Sequence, residues 1–405
     1  MYFKWYIMDV LVNRYRRLVE SAAFPFVRSL AKKIQWQSRG ISIEGPRGVG
    51  KSTLMLQYIR QHLPLEQSLY VTLDDLYFRK NSLVETTNEF YRLGGRYLFI
   101  DEAHKYAGWQ TEVKNIYDFH PDLQIVVSGS SILALQQSPA DLSRRLARYS
   151  LPVLSFREYL ALTQGVEWPA HTLPDLLEKH EQIAADIVAR HAPVLALYKH
   201  YQSVGQFPFF LTSEADYPTR ISQLINLIID YDLPEARPLE KTSLGKLKTL
   251  LYIISTAAPF KPNIQKLAAA LATNRNQVLD MLDMLDKAQL IRLLRSSARG
   301  VSLLNKPEKI YLHNTNFIHA LAEDKPNSGN LRETLFLTHT RDAGLPVTHS
   351  SQTDFTVSSK YHFEIGGKGK AMKQLTGLSH AFVVPDDIEI GYRQKIPLWL
   401  FGFLY

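Results

Sequence analysis

The stretch that decides the fold is Ile41-Ser-Ile-Glu-Gly-Pro-Arg-Gly-Val-Gly-Lys-Ser-Thr-Leu-Met-Leu56. It carries Gly45, four further residues and then Gly50-Lys51-Ser52, which is the pattern of a phosphate-binding loop. The glycines allow a tight turn whose backbone N–H groups converge on a phosphate, and the following helix directs its positive end at the same anion. A glycine-rich turn without a ligand is the alternative. The strand pattern before the loop and the amphipathic helix pattern after it favour the nucleotide site.

The loop residues are the predicted contacts to ATP. They are Gly45, Pro46, Arg47, Gly48, Val49, Gly50, Lys51, Ser52 and Thr53. Lys51 is expected to place a positive charge beside the β- and γ-phosphates, and the hydroxyl of Ser52 is expected to ligate Mg²⁺. ATP and Mg²⁺ are therefore the predicted cofactors.

A second motif, Arg96-Tyr-Leu-Phe-Ile-Asp-Glu-Ala-His104, is an apolar run that ends in two carboxylates. A continuously apolar strand is typical of a buried parallel sheet, and the C-terminal edge of such a sheet faces the nucleotide. Asp101 is expected to support the Mg²⁺ shell, and Glu102 to activate the attacking water as general base. The alternative, a helix N-cap, is disfavoured by the phosphate loop upstream. No role is predicted for His104.

The next apolar strand, residues 122–131, ends in small hydroxyl residues. Ser128 lies where a polar side chain is expected to sense the γ-phosphate or to orient the water. The alternative for this strand end is that Ser130 and Ser131 cap the following helix.

Three arginines follow these strands, at positions 144, 145 and 148. An arginine that reaches a neighbouring active site stabilises transition-state charge in phosphoryl transfer, and Arg145 is the preferred candidate for this role. A basic helix on the surface is the alternative.

Composition excludes several classes of protein. The 405 residues contain 45% hydrophobic and 21% charged residues and carry a formal net charge of +8, which describes a globular protein of two to four domains with a mild basic excess. The absence of cysteine excludes disulfides, thiolate zinc sites and cysteine nucleophiles, and it fits a reducing cytoplasm. No apolar run reaches the ~18 residues that a membrane span needs, so no membrane location is expected. Lys4 and Asp9 interrupt the apolar start of the chain, so no signal peptide is expected either.

Several motifs together resemble the bacterial and archaeal AAA-type ATPases that are joined to a DUF4143 C-terminal region. The similar stretches lie at residues 45–53, 98–104, 128–131, 144–159 and 205–208. On this resemblance Arg145 takes the family's arginine position, whereas Arg144 and Gln206 each replace a glycine of the family pattern. The resemblance implies an ATPase core, a winged-helix segment and a degenerate nuclease-like end.

The pattern from residue 241 to 315 predicts three helices and a β-wing, which is a winged-helix arrangement. The third helix carries three carboxylates that would repel DNA phosphates, Asp280, Asp283 and Asp286. Four arginines are nevertheless expected to be able to reach a DNA backbone, at positions 275, 292, 295 and 299. Contact with another domain or with a partner is therefore favoured over DNA binding.

The last stretch has acids in the order of a metal-dependent nuclease core, Glu333, Asp354 and Glu364. An active core would carry a lysine two residues after the last acid, on the same side of one strand. That position is Gly366, so an active nuclease is disfavoured. The nearby lysines at positions 368, 370 and 373 are interpreted as a solvated basic face.

The predicted fold class is α/β: a P-loop NTPase parallel sheet with a helical lid, a winged-helix segment and an α/β nuclease-like C-terminal domain. The domains expected are an N-terminal helix, the ATPase domain, the lid or connector, the winged helix and the nuclease-like domain, at residues 1–35, 36–160, 161–240, 241–315 and 316–405. The predicted function is Mg²⁺-dependent ATP hydrolysis that drives a conformational or assembly change. A homo-oligomer and an unidentified protein partner are expected. A nucleotide switch that does not hydrolyse ATP and an ATP-gated DNA-processing nuclease remain alternatives.

Overall fold

The structure is a computed structural model that describes residues 2–22, 25–130, 140–256, 259–296, 306–370, 375 and 377–405. The chain divides into two compact units. The first comprises residues 1–152 together with 231–238, and the second comprises residues 153–230 and 239–405. A short segment from far along the chain thus belongs to the first unit. The five domains predicted from the sequence are a finer division, and their boundaries stay predictions.

A five-stranded sheet forms the centre of the first unit. Its strands are β1 (Gly40–Gly45), β2 (Ser68–Thr72), β3 (Tyr97–Asp101), β4 (Gln124–Ser130) and β5 (Ala147–Ser150). The strand order is β2-β3-β4-β1-β5, and every neighbouring pair runs parallel. The predicted α/β fold with a parallel P-loop sheet is therefore confirmed. The C-terminal ends of β1, β3 and β4 lie at one edge of the sheet. The phosphate loop begins at this edge, and the apolar strand with the two acids ends there.

Helices cover this sheet and explain why its strand β3 is apolar up to Asp101. They are α1 (Tyr2–Ser21), α2 (Lys51–His62), α3 (Leu83–Arg92), α4 (Trp109–Phe119) and the short α5 (Ala140–Ser143). Leu98 and Ile100 of β3 pack with Leu83 and Val113 in one core cluster. Phe99, which points to the opposite face, is also fully buried. Successive residues of a strand face opposite sides, so both faces of the sheet lie in the interior.

The second unit is mostly helical. Its helices before residue 230 are α6 (Phe156–Gln164), α7 (Leu173–Arg190), α8 (Val194–Val204) and α9 (Tyr217–Leu227), the last followed by a π-helical turn at Ile228–Asp232. Helix α10 (Leu233–Ala236) lies in the segment that belongs to the first unit. The chain then continues through α11 (Lys241–Thr256), α12 (Ile264–Ala270), α13 (Arg275–Lys287), α14 (Thr315–Leu321) and α15 (Ser328–Asp342).

Two small sheets complete the second unit. Strands β6 (Ile291–Leu294) and β7 (Lys309–Leu312) form an antiparallel pair. The strands β8 (Val347–His349), β9 (Phe355–Val357), β10 (Tyr361–Gly366) and β11 (Ala381–Pro385) form a four-stranded sheet in the order β11-β10-β9-β8. Its first two pairings along the chain are antiparallel and the last, between β10 and β11, is parallel.

Helices α11 to α13 and the hairpin β6–β7 follow in the order predicted for a winged helix, whose identification stays a prediction. Two details of the charge argument need correction. Asp286 does not face outward, because its Oδ1 accepts a hydrogen bond of 3.1 Å from the backbone N–H of Leu293. Arg292 is not free to reach DNA, because it is buried and pairs with Asp342 at 2.6 Å. Arg299 lies outside the described residues.

Among the described helices, none combines the length and the apolar character that crossing a membrane requires.

Candidate nucleotide site

The phosphate loop connects β1 to α2 in a turn that requires its glycines. Gly48 and Gly50 have φ angles of +82° and +97°, which side chains other than glycine rarely adopt. A Cβ atom at Gly45 would lie only 2.2 Å from the carbonyl oxygen of Leu151. The glycine spacing in the sequence is therefore explained by the backbone conformation of the loop.

The ammonium group of Lys51 is buried inside the loop, where its Nζ donates hydrogen bonds of 2.9 Å to the carbonyl oxygens of Gly45 and Pro46. Burial lowers the pKa of Lys51, and the charges of Glu102 and Asp101 oppose this effect. The lysine is thus surrounded by the loop and by the two acids that follow β3. A bound phosphate would give this buried cation a full counter-charge.

Arg28 lies outside the motif but hydrogen-bonds to the phosphate loop. Its guanidinium is buried and donates hydrogen bonds of 2.5 Å to the carbonyl oxygen of Val49 and 2.8 Å to that of Pro152. Sequence reasoning missed this residue, because a lone arginine in an otherwise apolar stretch carries no motif.

Asp101 lies at the end of β3 and is almost fully buried. Its Oδ1 accepts hydrogen bonds from the hydroxyl of Ser128 and, at 3.0 Å, from the backbone N–H of Glu102. Its Oδ2 accepts a hydrogen bond of 2.5 Å from the hydroxyl of Tyr70. Burial and the neighbouring charge of Asp101 raise the pKa of Tyr70, which therefore remains a donor, and Ser52 also interacts with its hydroxyl.

Glu102 follows directly in a left-handed backbone conformation, with φ at +50°. Such a conformation is costly for a residue with a side chain and is found preferentially at functional sites. Burial raises the pKa of the Glu102 carboxyl, and the charge of Lys51 partly opposes this. A raised carboxyl pKa suits a group that takes up a proton during the reaction.

His104 was assigned no role from the sequence, yet its Nε2 lies 3.3 Å from Oε2 of Glu102. Within the described part of the chain, neither ring nitrogen has a hydrogen-bond partner, and the same is true of that glutamate oxygen. Burial lowers the pKa of His104 to about 4. The imidazole beside the catalytic candidate is therefore neutral at physiological pH.

The segment 231–238 adds a carboxylate that sequence reasoning also missed. Asp232 is fully buried, and its Oδ1 lies 3.1 Å from an NH1 of Arg47 and 3.0 Å from Nζ of Lys105. Lys105 also lies 2.6 Å from Glu235, whose side chain is 40% exposed. Burial acts to lower the pKa of Lys105, but its hydrogen bonds to Glu235 and Asp232 outweigh this and raise it. No sequence signal links residues so far apart along the chain.

Asp232, Glu235 and His104 each place one potential ligand atom within 4.8 Å of the other two. The two carboxylates are already neutralised by protein cations, since Lys105 contacts both of them and Arg47 contacts Asp232.

Arg145 lies away from this cluster within its own unit. Its backbone carbonyl is against Gly40, the first residue of β1, whereas the phosphate loop follows the last residue of that strand. Its guanidinium Nε pairs with Asp118 at 2.8 Å. The structure therefore does not bring Arg145 together with Lys51 and Glu102 of the same chain.

Parts of this chain can be compared with known families. Residues 37–160 match the family model of an AAA domain. The matched stretch contains the phosphate loop, Asp101, Glu102, Ser128 and Arg145. Residues 195–328 match a domain of unknown function, DUF8612. The DUF4143 region that the C-terminal motifs resemble is not the matched family, so that part of the resemblance stays an expectation.

One relative is an uncharacterized protein of Methanocaldococcus jannaschii, which is 27% identical over 267 residues. The match includes 62% of this chain and 55% of the relative, so the chain spans little more than half the length of that protein. Among solved structures, PCH-2 of C. elegans is 14% identical, with 68% of this chain and 67% of that chain covered at a TM-score of 0.25. That similarity is too low to bear on the fold.

The second unit holds a separate group of charged residues around β10. Glu364 is buried, and its Oε1 lies 2.6 Å from Nζ of Lys370. Oδ2 of Asp354 accepts a hydrogen bond of 2.9 Å from the backbone N–H of Ile365. Asp354 and Glu364 both line a cavity of about 530 Å³. Lys309 lies 2.9 Å from Glu333 and 3.6 Å from Asp354.

Lys370 occupies the space that a side chain at Gly366 would need. A Cβ atom added at Gly366 would lie 2.6 to 2.8 Å from the Cδ, Cγ and Cβ atoms of Lys370. A nuclease core requires a lysine two residues after Glu364, and the strand has none there. The side chain of Lys370 occupies the corresponding space instead. The interpretation of Lys370 as part of a solvated basic face is therefore wrong, and Lys373 of that face lies outside the described residues.

Proposed function

We propose that this chain is a Mg²⁺-dependent ATPase that uses ATP binding and hydrolysis to drive a conformational or assembly change. The observation that supports this best is the environment of Lys51. The ammonium is buried in the phosphate loop, and the charges of Asp101 and Glu102 act on it. A phosphate-binding lysine, a metal-binding acid and a base that positions water are the parts that phosphoryl transfer requires.

Ser52 and Asp101 would hold the Mg²⁺ ion. Both provide hard oxygen ligands, which Mg²⁺ prefers, and both interact with the Tyr70 hydroxyl. When bound, the ion neutralises charge on the phosphate oxygens. The residues of the loop, from Gly45 to Thr53, would surround the phosphates, and Lys51 would provide the charge beside them.

Glu102 would take the proton of the attacking water. Its raised pKa and its position directly after Asp101 support this role. Ser128 donates its hydroxyl hydrogen to Asp101, so we assign it the task of orienting that carboxylate, in preference to direct contact with the γ-phosphate. Arg145 would act on the site of a neighbouring copy, because in its own chain it lies at the other end of β1.

A homo-oligomer follows from this assignment of Arg145, and the energy of hydrolysis would act on a protein partner. DNA is retained as a partner but is not favoured, because Arg292 is held by Asp342 and because Asp280 and Asp283 remain on α13. We place this activity in the cytoplasm, in keeping with a chain that contains no cysteine.

Steady-state phosphate release from ATP tests the proposal, with and without Mg²⁺ and with and without duplex DNA. Turnover that requires Mg²⁺ and vanishes in Glu102→Gln, while ATP still binds, is the expected result. Stimulation by DNA would favour DNA as the partner. Tight ATP binding without any phosphate release by the wild type would overturn hydrolysis and favour a nucleotide switch.

A metal-dependent nuclease in the second unit is a second candidate function, favoured by the position of Lys370. Asp354 and Glu364 would hold a divalent cation at the shared cavity, and Lys370 would stabilise charge on the scissile phosphate. Cleavage of single- and double-stranded DNA in the presence of Mg²⁺ or Mn²⁺ tests this. Loss of cleavage in Glu364→Ala and in Lys370→Met is expected. No cleavage of either substrate by the wild type would remove this candidate.

A further inference from the structure

We propose that Asp232 is a positioning residue of the ATPase site, which holds the guanidinium of Arg47 away from Glu102. The carboxylate of Glu102 then stays available to the attacking water. This inference rests on the ATPase function proposed above, and it assigns to that site a residue from outside the stretch that matches the AAA domain.

Arg47 has two carboxylates within reach. Its NH1 lies 3.1 and 3.4 Å from the two carboxylate oxygens of Asp232, and 4.0 Å from Oε2 of Glu102. The Asp232 side chain is fully buried, whereas that of Glu102 is 19% exposed. Attraction between opposite charges increases as distance and solvent exposure decrease. Arg47 is therefore bound to Asp232, and Glu102 is its nearest alternative partner.

A second cation is held in the same way. Nζ of Lys105 lies 3.0 Å from the Asp232 oxygen that Arg47 also contacts. One buried carboxylate thus neutralises two cations that lie close to Glu102. Removing this negative charge would leave Arg47 partly buried without its main partner, which is an unfavourable state. A shift of Arg47 toward Glu102 would relieve it.

A Glu102 carboxylate that is paired with Arg47 would be a poor base. Hydrogen bonds from a guanidinium would occupy the carboxylate oxygens that must receive the proton. Loss of Asp232 should therefore slow the chemical step. Nucleotide affinity should change little, since among the described residues Arg47 is the only part of the phosphate loop that hydrogen-bonds to Asp232.

A double-mutant cycle on ATP turnover tests the inference with the full-length chain. Asp232→Asn should lower kcat by about ten-fold or more, a part of the 10²- to 10⁴-fold that a general base contributes, and should change KM by less than about three-fold. Arg47→Met is the second single variant of the cycle. In the Arg47→Met background, Asp232→Asn should lower kcat by less than about two-fold, because no guanidinium remains to be misplaced.

Two controls separate this role from a loss of folding. Glu235→Gln removes the exposed carboxylate of the same segment, which pairs with Lys105 but not with Arg47, and should leave kcat within about two-fold of the wild type. Thermal melting shows which variants are folded at the assay temperature. A second cycle with Asp232→Ser is used where Asp232→Asn melts below that temperature.

The possible failures are distinguishable. A wild type that binds ATP but does not hydrolyse it overturns the proposed function, and this inference with it. Wild-type turnover combined with an unchanged kcat in Asp232→Asn, or with losses that simply multiply in the double variant, overturns the role of Asp232 alone.

Discussion

The hydroxyl of Tyr70 donates a hydrogen bond of 2.5 Å to Oδ2 of Asp101, the carboxylate at the end of the neighbouring strand. The hydroxyl of Ser128 and the backbone N–H of Glu102 donate hydrogen bonds to Oδ1, so both carboxylate oxygens of Asp101 are held in place. The acid proposed to support Mg²⁺ is therefore oriented before any ligand arrives, by residues of two other elements. Mutation of such outer partners typically weakens metal binding by about 10- to 100-fold.

Tyr70→Phe should weaken Mg²⁺ binding without removing a ligand. We expect the Mg²⁺ concentration for half-maximal ATP turnover to rise by about 10- to 100-fold, because Asp101 loses the donor that orients it. A Mg²⁺ titration of phosphate release measures this. Tyr91→Phe is the matched control, since it removes only an exposed hydroxyl that donates to Asp122 at 3.4 Å. An unchanged Mg²⁺ dependence would show that Tyr70 does not support the metal site.

Arg145→Ala should abolish turnover by acting across copies of the chain. We expect kcat to fall by about 10³-fold, the lower end for arginines that act in phosphoryl transfer, with ATP binding unchanged. Mixing Arg145→Ala with Glu102→Gln should restore part of the turnover, because one copy would provide an intact site and the other an intact arginine.

Arg144→Ala is the control for this prediction, because Arg144 is the exposed neighbour in the sequence. Failure to recover activity at any mixing ratio would argue against shared sites.

Acid should destabilise the second unit through His339. Burial and the charge of Arg292 lower the pKa of this fully buried histidine to about 3. The unfolded chain, with a histidine pKa near 6.5, binds the proton first as the pH falls, so stability is lost from about pH 6.5 downward. Between pH 7 and pH 5 this amounts to about 2 kcal/mol.

Urea unfolding of the wild type and of His339→Leu at both pH values measures this loss. The variant should lose about 2 kcal/mol less than the wild type, and His62→Leu, which changes an exposed histidine, should behave as the wild type does. Equal losses in all three proteins would place the acid sensitivity elsewhere.

Moving the lysine from position 370 to position 366 tests the proposed nuclease function. Lys370→Gly should abolish metal-dependent DNA cleavage, because it removes the ammonium that lies 2.6 Å from Glu364. The double variant Gly366→Lys/Lys370→Gly should recover cleavage, since the strand lysine would enter the space that the Lys370 stem leaves. The single Gly366→Lys should not be active, because both side chains compete for one space. Cleavage by Lys370→Gly at the wild-type rate would exclude this role for the lysine.

The sheet of the first unit was predictable because its signals are local. The phosphate loop needs glycine at positions 48 and 50 for positive φ, and a strand that is apolar up to its last residue, such as 97–101, is buried on both faces. The predicted parallel P-loop sheet is confirmed.

The parts that escaped prediction depend on contacts between distant residues. Tyr70 lies in β2, and the sequence does not state that this strand is the neighbour of β3. Asp232 and Lys370 have no motif of their own. Asp232 matters because the fold brings it beside Arg47. Lys370 matters because the fold brings it beside Gly366.

Residues 231–238 make the first unit discontinuous in sequence, and this has a consequence for inheritance. A gene fragment that ends at residue 160 encodes the phosphate loop and both acids but not Asp232. Recombination that joined this fragment to an unrelated C-terminal half would separate Arg47 and Lys105 from their buried partner. The two halves of this chain should therefore diversify as one evolutionary unit, with changes near position 47 accompanied by changes near position 232.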